Sequence, residues 1–103
     1  MDGHPRTAAS LFRMRVEKRN LFVTLRMLRT AGIEANTQVI GDRLHVFLAH
    51  PERGKPPLRA AFGGSQLMRA ADWLAACVIR YYPQSDLAKV WSVILSAAAT
   101  LPR

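Results

Sequence analysis

The stretch Ala35-Asn36-Thr37-Gln38-Val39-Ile40-Gly41-Asp42-Arg43-Leu44-His45-Val46-Phe47-Leu48 decides the fold. Two apolar-containing runs flank Gly41-Asp42, and a two-residue connection with glycine is a hairpin signal. If the chain turns there, Val39 opposes Leu44, Thr37 opposes Val46 and Ala35 opposes Leu48, all on one face. The other face carries Asn36, Gln38, Ile40, Arg43, His45 and Phe47. A longer turn would swap the two faces. The two-residue closure is preferred because it sorts the side chains consistently, and a slip by one residue would undo that sorting.

Outward from the hairpin, the period changes. Leu21, Leu25 and Leu28 recur at helical spacing between Asn20 and Ala31. Asn20 is an acceptable N-cap, and Gly32 stands where a helix stops. Earlier still, Phe12, Met14 and Val16 alternate with Arg13, Arg15 and Glu17, the pattern of a half-buried strand. Residues 1–9 read as a flexible N-terminus.

On the other side, residues 50–64 read as a long basic loop, because their prolines and glycines disfavour both ladders and helices. A connection of that length is expected to be functional or mobile. Ser65 would cap a helix running to about Tyr82, which Pro83 ends. Ser85 would cap a last helix from Asp86 to about Thr100, with Leu87, Val90, Trp91, Ile94, Ala98 and Leu101 on its apolar face. The expected fold is α+β, a single domain over residues 1–103 in the order β-α-β-β-α-α. It comprises a three-stranded sheet, a crossover helix and a C-terminal helical hairpin.

The chain of 103 residues is one domain long. Half its residues are hydrophobic and 21% are charged, so it can form a core rather than stay disordered. No apolar run approaches the ~20 residues that span a bilayer. The lone Cys77 cannot form an internal disulfide, and the N-terminal residues lack the apolar core of a secretory signal, so a cytoplasmic location and no membrane partner are expected.

Catalysis finds little support. The seven acidic residues are scattered, whereas paired carboxylates must converge on one bond. His4, His45 and His50 have no metal-site spacing, and Cys77 reads as a small buried residue. Gly63-Gly64 lacks the remainder of a phosphate-binding loop. The expectation is a non-enzyme with no catalytic residues, no metal and no cofactor.

Charge is the informative property. Fifteen Lys and Arg against seven Asp and Glu give a net charge of +8, which favours a polyanionic or acidic partner. Arg19, Phe22, Arg26 and Arg29 make one helical stripe beside the leucine face. Arg13, Arg15, Arg43, His45 and Phe47 would share a sheet face if the first strand joins the hairpin. The competing reading buries that face, Phe47 included, beneath the C-terminal helices. Arg53, Lys55 and Arg59 make the loop basic. Trp73 falls with Arg69 and Arg80, off the main apolar face of its helix. With Phe22, these residues are candidates for a partner interface, since Trp and Arg are enriched at hot spots. Packing against the last helix or the sheet is the alternative role for Trp73.

Two functions follow. The first is a non-enzymatic nucleic-acid binder, for DNA or RNA, that grips phosphates through Arg13, Arg15, Arg19, Arg26, Arg29, Arg43, Arg53, Lys55 and Arg59. The second is a protein-interaction module docking on an acidic partner surface: a small inhibitor, adaptor or regulatory subunit of the kind mobile elements carry. A homodimer through the C-terminal helices is compatible with both.

Overall fold

Asn20 opens the first helix, α1 (Leu21–Thr30), as its sequence position suggests. The backbone N–H groups of Phe22 and Val23 donate to Asn20 Oδ1 at 3.1 and 3.3 Å. These bonds satisfy donors that no earlier turn of helix can meet. At the far end Gly32 takes φ +78°, its N–H donates to the Arg29 carbonyl, and the Ile33 N–H donates to that of Leu28. This is a complete Schellman motif, and the Leu28 and Ile33 side chains that accompany it are both buried in the core. The computed structural model describes residues 20–100, with side chains through residue 97. The expected strand at residues 12–17 therefore lies outside the described residues, as do the flexible reading of residues 1–9 and the side chains of Ala98 and Leu101.

The hairpin closes as its sequence dictates. β1 (Ala35–Ile40) pairs antiparallel with β2 (Arg43–Leu48), placing Val39 opposite Leu44, Thr37 opposite Val46 and Ala35 opposite Leu48. Gly41 has φ +66°, and the following Asp42 keeps a negative φ. Positive φ at the first central residue alone fits a II′-type turn, which suits glycine there.

The third strand of the described sheet comes from an unexpected place. Residues 50–64 are not all loop: β3 (Leu58–Phe62) pairs antiparallel with β2, giving strand order β1-β2-β3. Leu58, Ala60 and Phe62 oppose Leu48, Val46 and Leu44, so one apolar face runs across all three strands. The remaining connection, residues 49–57, is fastened at its base. The Ala49 N–H donates to the Glu34 carbonyl at 2.9 Å, the Tyr82 hydroxyl donates to the Ala49 carbonyl, and His50 Nδ1 accepts the Glu52 N–H at 3.0 Å.

Two helices follow. α2 (Arg69–Tyr81) begins later than Ser65; that serine sits in one turn of 3-10 helix, Gly64–Gln66, and caps nothing. Bonds of 3-10 type, Gln66 N–H to Gly63 and Ala70 N–H to Leu67, carry the chain into α2 without a side-chain cap. α3 (Asp86–Thr100) starts where expected: Ser85 Oγ accepts the Ala88 N–H at 3.2 Å and donates to the Tyr82 carbonyl at 2.7 Å.

The core lies between the sheet and the helices. Val46 and Leu48 meet Leu28 and Ile33 from the α1 end, Leu74 and Val78 from α2, and Trp91 and Ile94 from α3. Ala70, Ala71 and Ala75 are fully buried on α2, and side chains this small let neighbouring backbones come close. α1 and α2 cover the apolar face of the sheet, and α3 packs on α2. Among the described residues the architecture is a three-stranded antiparallel sheet with three α-helices, of α+β class. Among the described residues no helix is long and apolar enough to cross a membrane.

Candidate nucleic-acid interface

Strand alternation sends every second side chain away from the helices. Because Leu44, Val46, Leu48, Leu58 and Phe62 belong to the core side, their neighbours occupy the opposite face. The register arranges that face in rows. Asn36, Phe47 and Arg59 form one, Gln38, His45 and Ala61 the next, and Ile40 with Arg43 the last. Directly opposed side chains in such rows stand about 5 Å apart at Cβ, close enough to act on one ligand.

Phe47 is the centre of this face and is no part of the helix-covered core, contrary to the reading that buries it under the C-terminal helices. It is half-buried. The His45 ring stacks beside it with centroids 6.5 Å apart and planes 23° from parallel. The Arg59 guanidinium stands 5.9 Å from the Phe47 ring centroid, within range of a cation–π attraction. His45 Nδ1 is buried and makes no hydrogen bond among the described residues, an uncompensated polar atom on a face otherwise rich in hydrogen-bonding groups.

The loop of residues 49–57 turns one end of this face into a cavity of about 500 Å³. Phe47, Asn36 and Gln38 line its sheet side, and Arg53, Lys55 and His50 its loop side. Lys55 is paired with Glu52 at 3.0 Å, but both side chains are more than half exposed, so the pair holds the lysine weakly. Arg43, Arg53 and Arg59 are in no ion pair among the described residues.

The structure distributes the candidate cations as follows. Arg13, Arg15 and Arg19 lie outside the described residues. Arg43 falls on the open face by strand alternation, in the row with Ile40, and also borders an apolar groove beside Phe22. Arg59, read as a loop residue, belongs to β3 and joins Phe47 in its row. Arg53 and Lys55 stay on the loop. Arg26 is exposed on α1, in the helix layer on the far side of the sheet, and does not join the others. Arg29, also on α1, borders a smaller cavity of about 350 Å³ whose Glu34, Ala35 and Asn36 wall is shared with the loop cavity.

Two members of the proposed interface set have partners within the chain. Trp73 is half-buried against the core, with its ring edge-on to Phe62 at 6.4 Å and 65°. Arg80 places its guanidinium 5.3 Å from the Tyr81 ring, not on Trp73. Arg69 is exposed at the start of α2. Phe22 is 76% exposed and flanks an apolar groove of about 870 Å³ that Val39, Leu44, Phe62, Leu67 and Met68 also line. Nothing in local periodicity announces this groove, since its walls come from four separate segments. The hairpin register alone sets the amides of Asn36 and Gln38 beside Phe47 and His45, although neither residue carries the charge that marks the other candidates.

Reactive chemistry is sparse. Burial pushes the half-buried Cys77 thiol up from its ordinary pKa, and the nearby Arg80 only partly opposes this, so little thiolate forms at neutral pH. Among the described residues no three His, Cys, Asp or Glu side chains gather where they could hold a metal ion. The chain matches no protein-family model, no curated protein and no solved structure.

Proposed function

We propose that this protein binds nucleic acid without catalysing a reaction on it, using the open sheet face and its loop. One observation carries the reading: Arg59 stands 5.9 Å from the Phe47 ring centroid, Arg53 lines the same cavity as Phe47, Arg43 lies two rows further along the same sheet face, and among the described residues none of the three is paired with a carboxylate. Unpaired guanidinium groups attract phosphate oxygens, and each phosphate neutralised releases counterions and adds affinity. The net charge of +8 supplies long-range attraction to the same ligand.

The test is binding of a labelled oligonucleotide over a range of salt. Affinity should fall steeply as salt rises, and Arg43→Glu or Arg59→Glu should weaken binding across all sequences and flatten the salt slope by about 1 unit each. No binding at about 50 mM salt removes the proposal.

The second reading, an interaction module for an acidic protein, draws on the groove beside Phe22 and Met68, which are 76% and 68% exposed. Its ligand would be an acidic segment with apolar anchors, and Arg43 at the groove wall fits such a charge. A stoichiometric protein complex that survives nuclease and is lost on Phe22→Asp favours this reading over the first. Self-association through α3, where Val93 and Leu95 are exposed, is compatible with either, and light scattering at high concentration decides it.

A further inference from the structure

We infer that the open face takes unpaired nucleic acid and seats one base over Phe47 inside the loop cavity, an inference that rests on the nucleic-acid reading above. Phosphate contacts alone do not need an aromatic ring, a cavity or amide side chains. This face has all three. A nucleobase is a flat apolar plate with donors and acceptors around its edge and an anionic linkage on one side. Each part has a counterpart here.

The plate matches Phe47, which lines the cavity on its sheet side. The edge matches the amides of Asn36 and Gln38, which the β1–β2 register sets opposite Phe47 and His45. Both residues are exposed and their amides make no hydrogen bond among the described residues, so each offers an acceptor and two donors to a ligand. The anionic linkage matches Arg53 on the loop and Arg59 on the neighbouring strand. Arg59 now stands 5.9 Å from the Phe47 centroid, and an incoming base would take that position and leave its guanidinium to the adjoining phosphate. The cavity volume of about 500 Å³ accommodates one nucleotide.

This arrangement excludes a duplex from the Phe47 position. Paired bases hide their faces in the stack, and a half-buried ring that lines a cavity beside the loop meets only a base that is splayed out. Stacking is tolerant of sequence, whereas the two amides favour bases whose edges carry both a donor and an acceptor.

The experiment compares three labelled probes at about 50 mM salt. They are a single strand of about 12 nucleotides, the same strand in duplex, and the same strand with abasic sites, which keeps the phosphates and removes the plates. Ribose and deoxyribose single strands are run side by side, and the criterion is met if either passes it. The intact single strand should bind at least about tenfold more tightly than the duplex or the abasic strand. Phe47→Leu keeps the bulk of the side chain but loses the aromatic face, and should cost single-strand affinity about fivefold or more with the salt slope unchanged. An unchanged urea midpoint for that variant excludes misfolding as the cause. Asn36→Ala with Gln38→Ala should alter the ranking among homopolymers. If the three probes bind equally and Phe47→Leu has no effect, the base seat is overturned and the phosphate reading stands. If no probe binds, both fall.

Discussion

The two faces of this sheet are built from the same three strands, yet they answer to different constraints. On the inner face Val46 and Leu48 are fully buried, and Leu44, Leu58 and Phe62 pack around them against the helices. On the outer face the alternate residues are Arg43, His45, Phe47 and Arg59, with Asn36 and Gln38 beside them. The inner residues are fixed by volume and by exclusion of water. No such demand explains a phenylalanine and two arginines gathered outside. On the proposed reading, stability and binding separate by parity along one strand, so that neighbours one residue apart serve different ends.

The largest test of that separation pairs two adjacent residues. Leu48→Ala should cost about 2–5 kcal/mol, because it leaves a cavity in a well-packed core. Phe47→Ala, one position earlier, should cost about 1 kcal/mol or less despite removing a larger side chain. Urea unfolding of both variants measures the contrast. Equal losses would mean that the outer face is a second core, and the division by parity would fail.

A smaller effect concerns the link between the two sides. Tyr82, at the end of α2, donates its hydroxyl hydrogen bond to the carbonyl of Ala49, where the cavity loop begins. Tyr82→Phe removes that donor and should lower stability by about 1 kcal/mol. Hydrogen exchange should locate the loosening in residues 49–57 rather than in β2 or α2.

The smallest expected effect is alkaline. Burial raises the pKa of Tyr82, with Glu34 adding to the shift, and burial raises that of Cys77 against the opposing Arg80. Both groups are neutral when protonated, and the folded state holds those protons more firmly than the unfolded one. Their contribution is therefore complete below the ordinary values of 9.0 for Cys77 and 10.0 for Tyr82, and fades as pH rises through the folded values. Melting temperature should be flat in this respect near neutrality and decline above about pH 9. Cys77→Ala should remove the early part of the decline and leave the later part. A decline that is unaltered in Cys77→Ala and in Tyr82→Phe would show that neither group drives it.

Much of this architecture can be read from local pattern. Gly41-Asp42 and the alternation around it give the β1–β2 register residue by residue. Asn20, Gly32 and Ser85 mark helix ends because each supplies a specific bond or backbone angle there. β3 resists the same treatment. Ala60 and Ala61 have little preference for strands, and Pro56-Pro57 and Gly63-Gly64 frame the segment like a loop. Its strand state depends on partners in the preceding strand, β2, from Leu48 opposite Leu58 to Leu44 opposite Phe62, and not on its own residues. That one omission hides two further facts: Arg59 belongs beside Phe47, and Trp73 packs on Phe62 rather than facing outward with Arg80. The grouping of Arg43, His45 and Phe47 was legible because it needs only the hairpin.

The order β1-β2-β3 repeats the order of the chain, and that has a kinetic consequence. Each strand docks on the one just made, so the ends brought together are never far apart and the entropy lost at each closure stays small. The hairpin of residues 35–48, closed by two residues, is the cheapest of these events and a natural nucleus. Once it has formed, β2 presents a ready template to Leu58–Phe62, and the weak intrinsic preference of that alanine-rich segment ceases to matter.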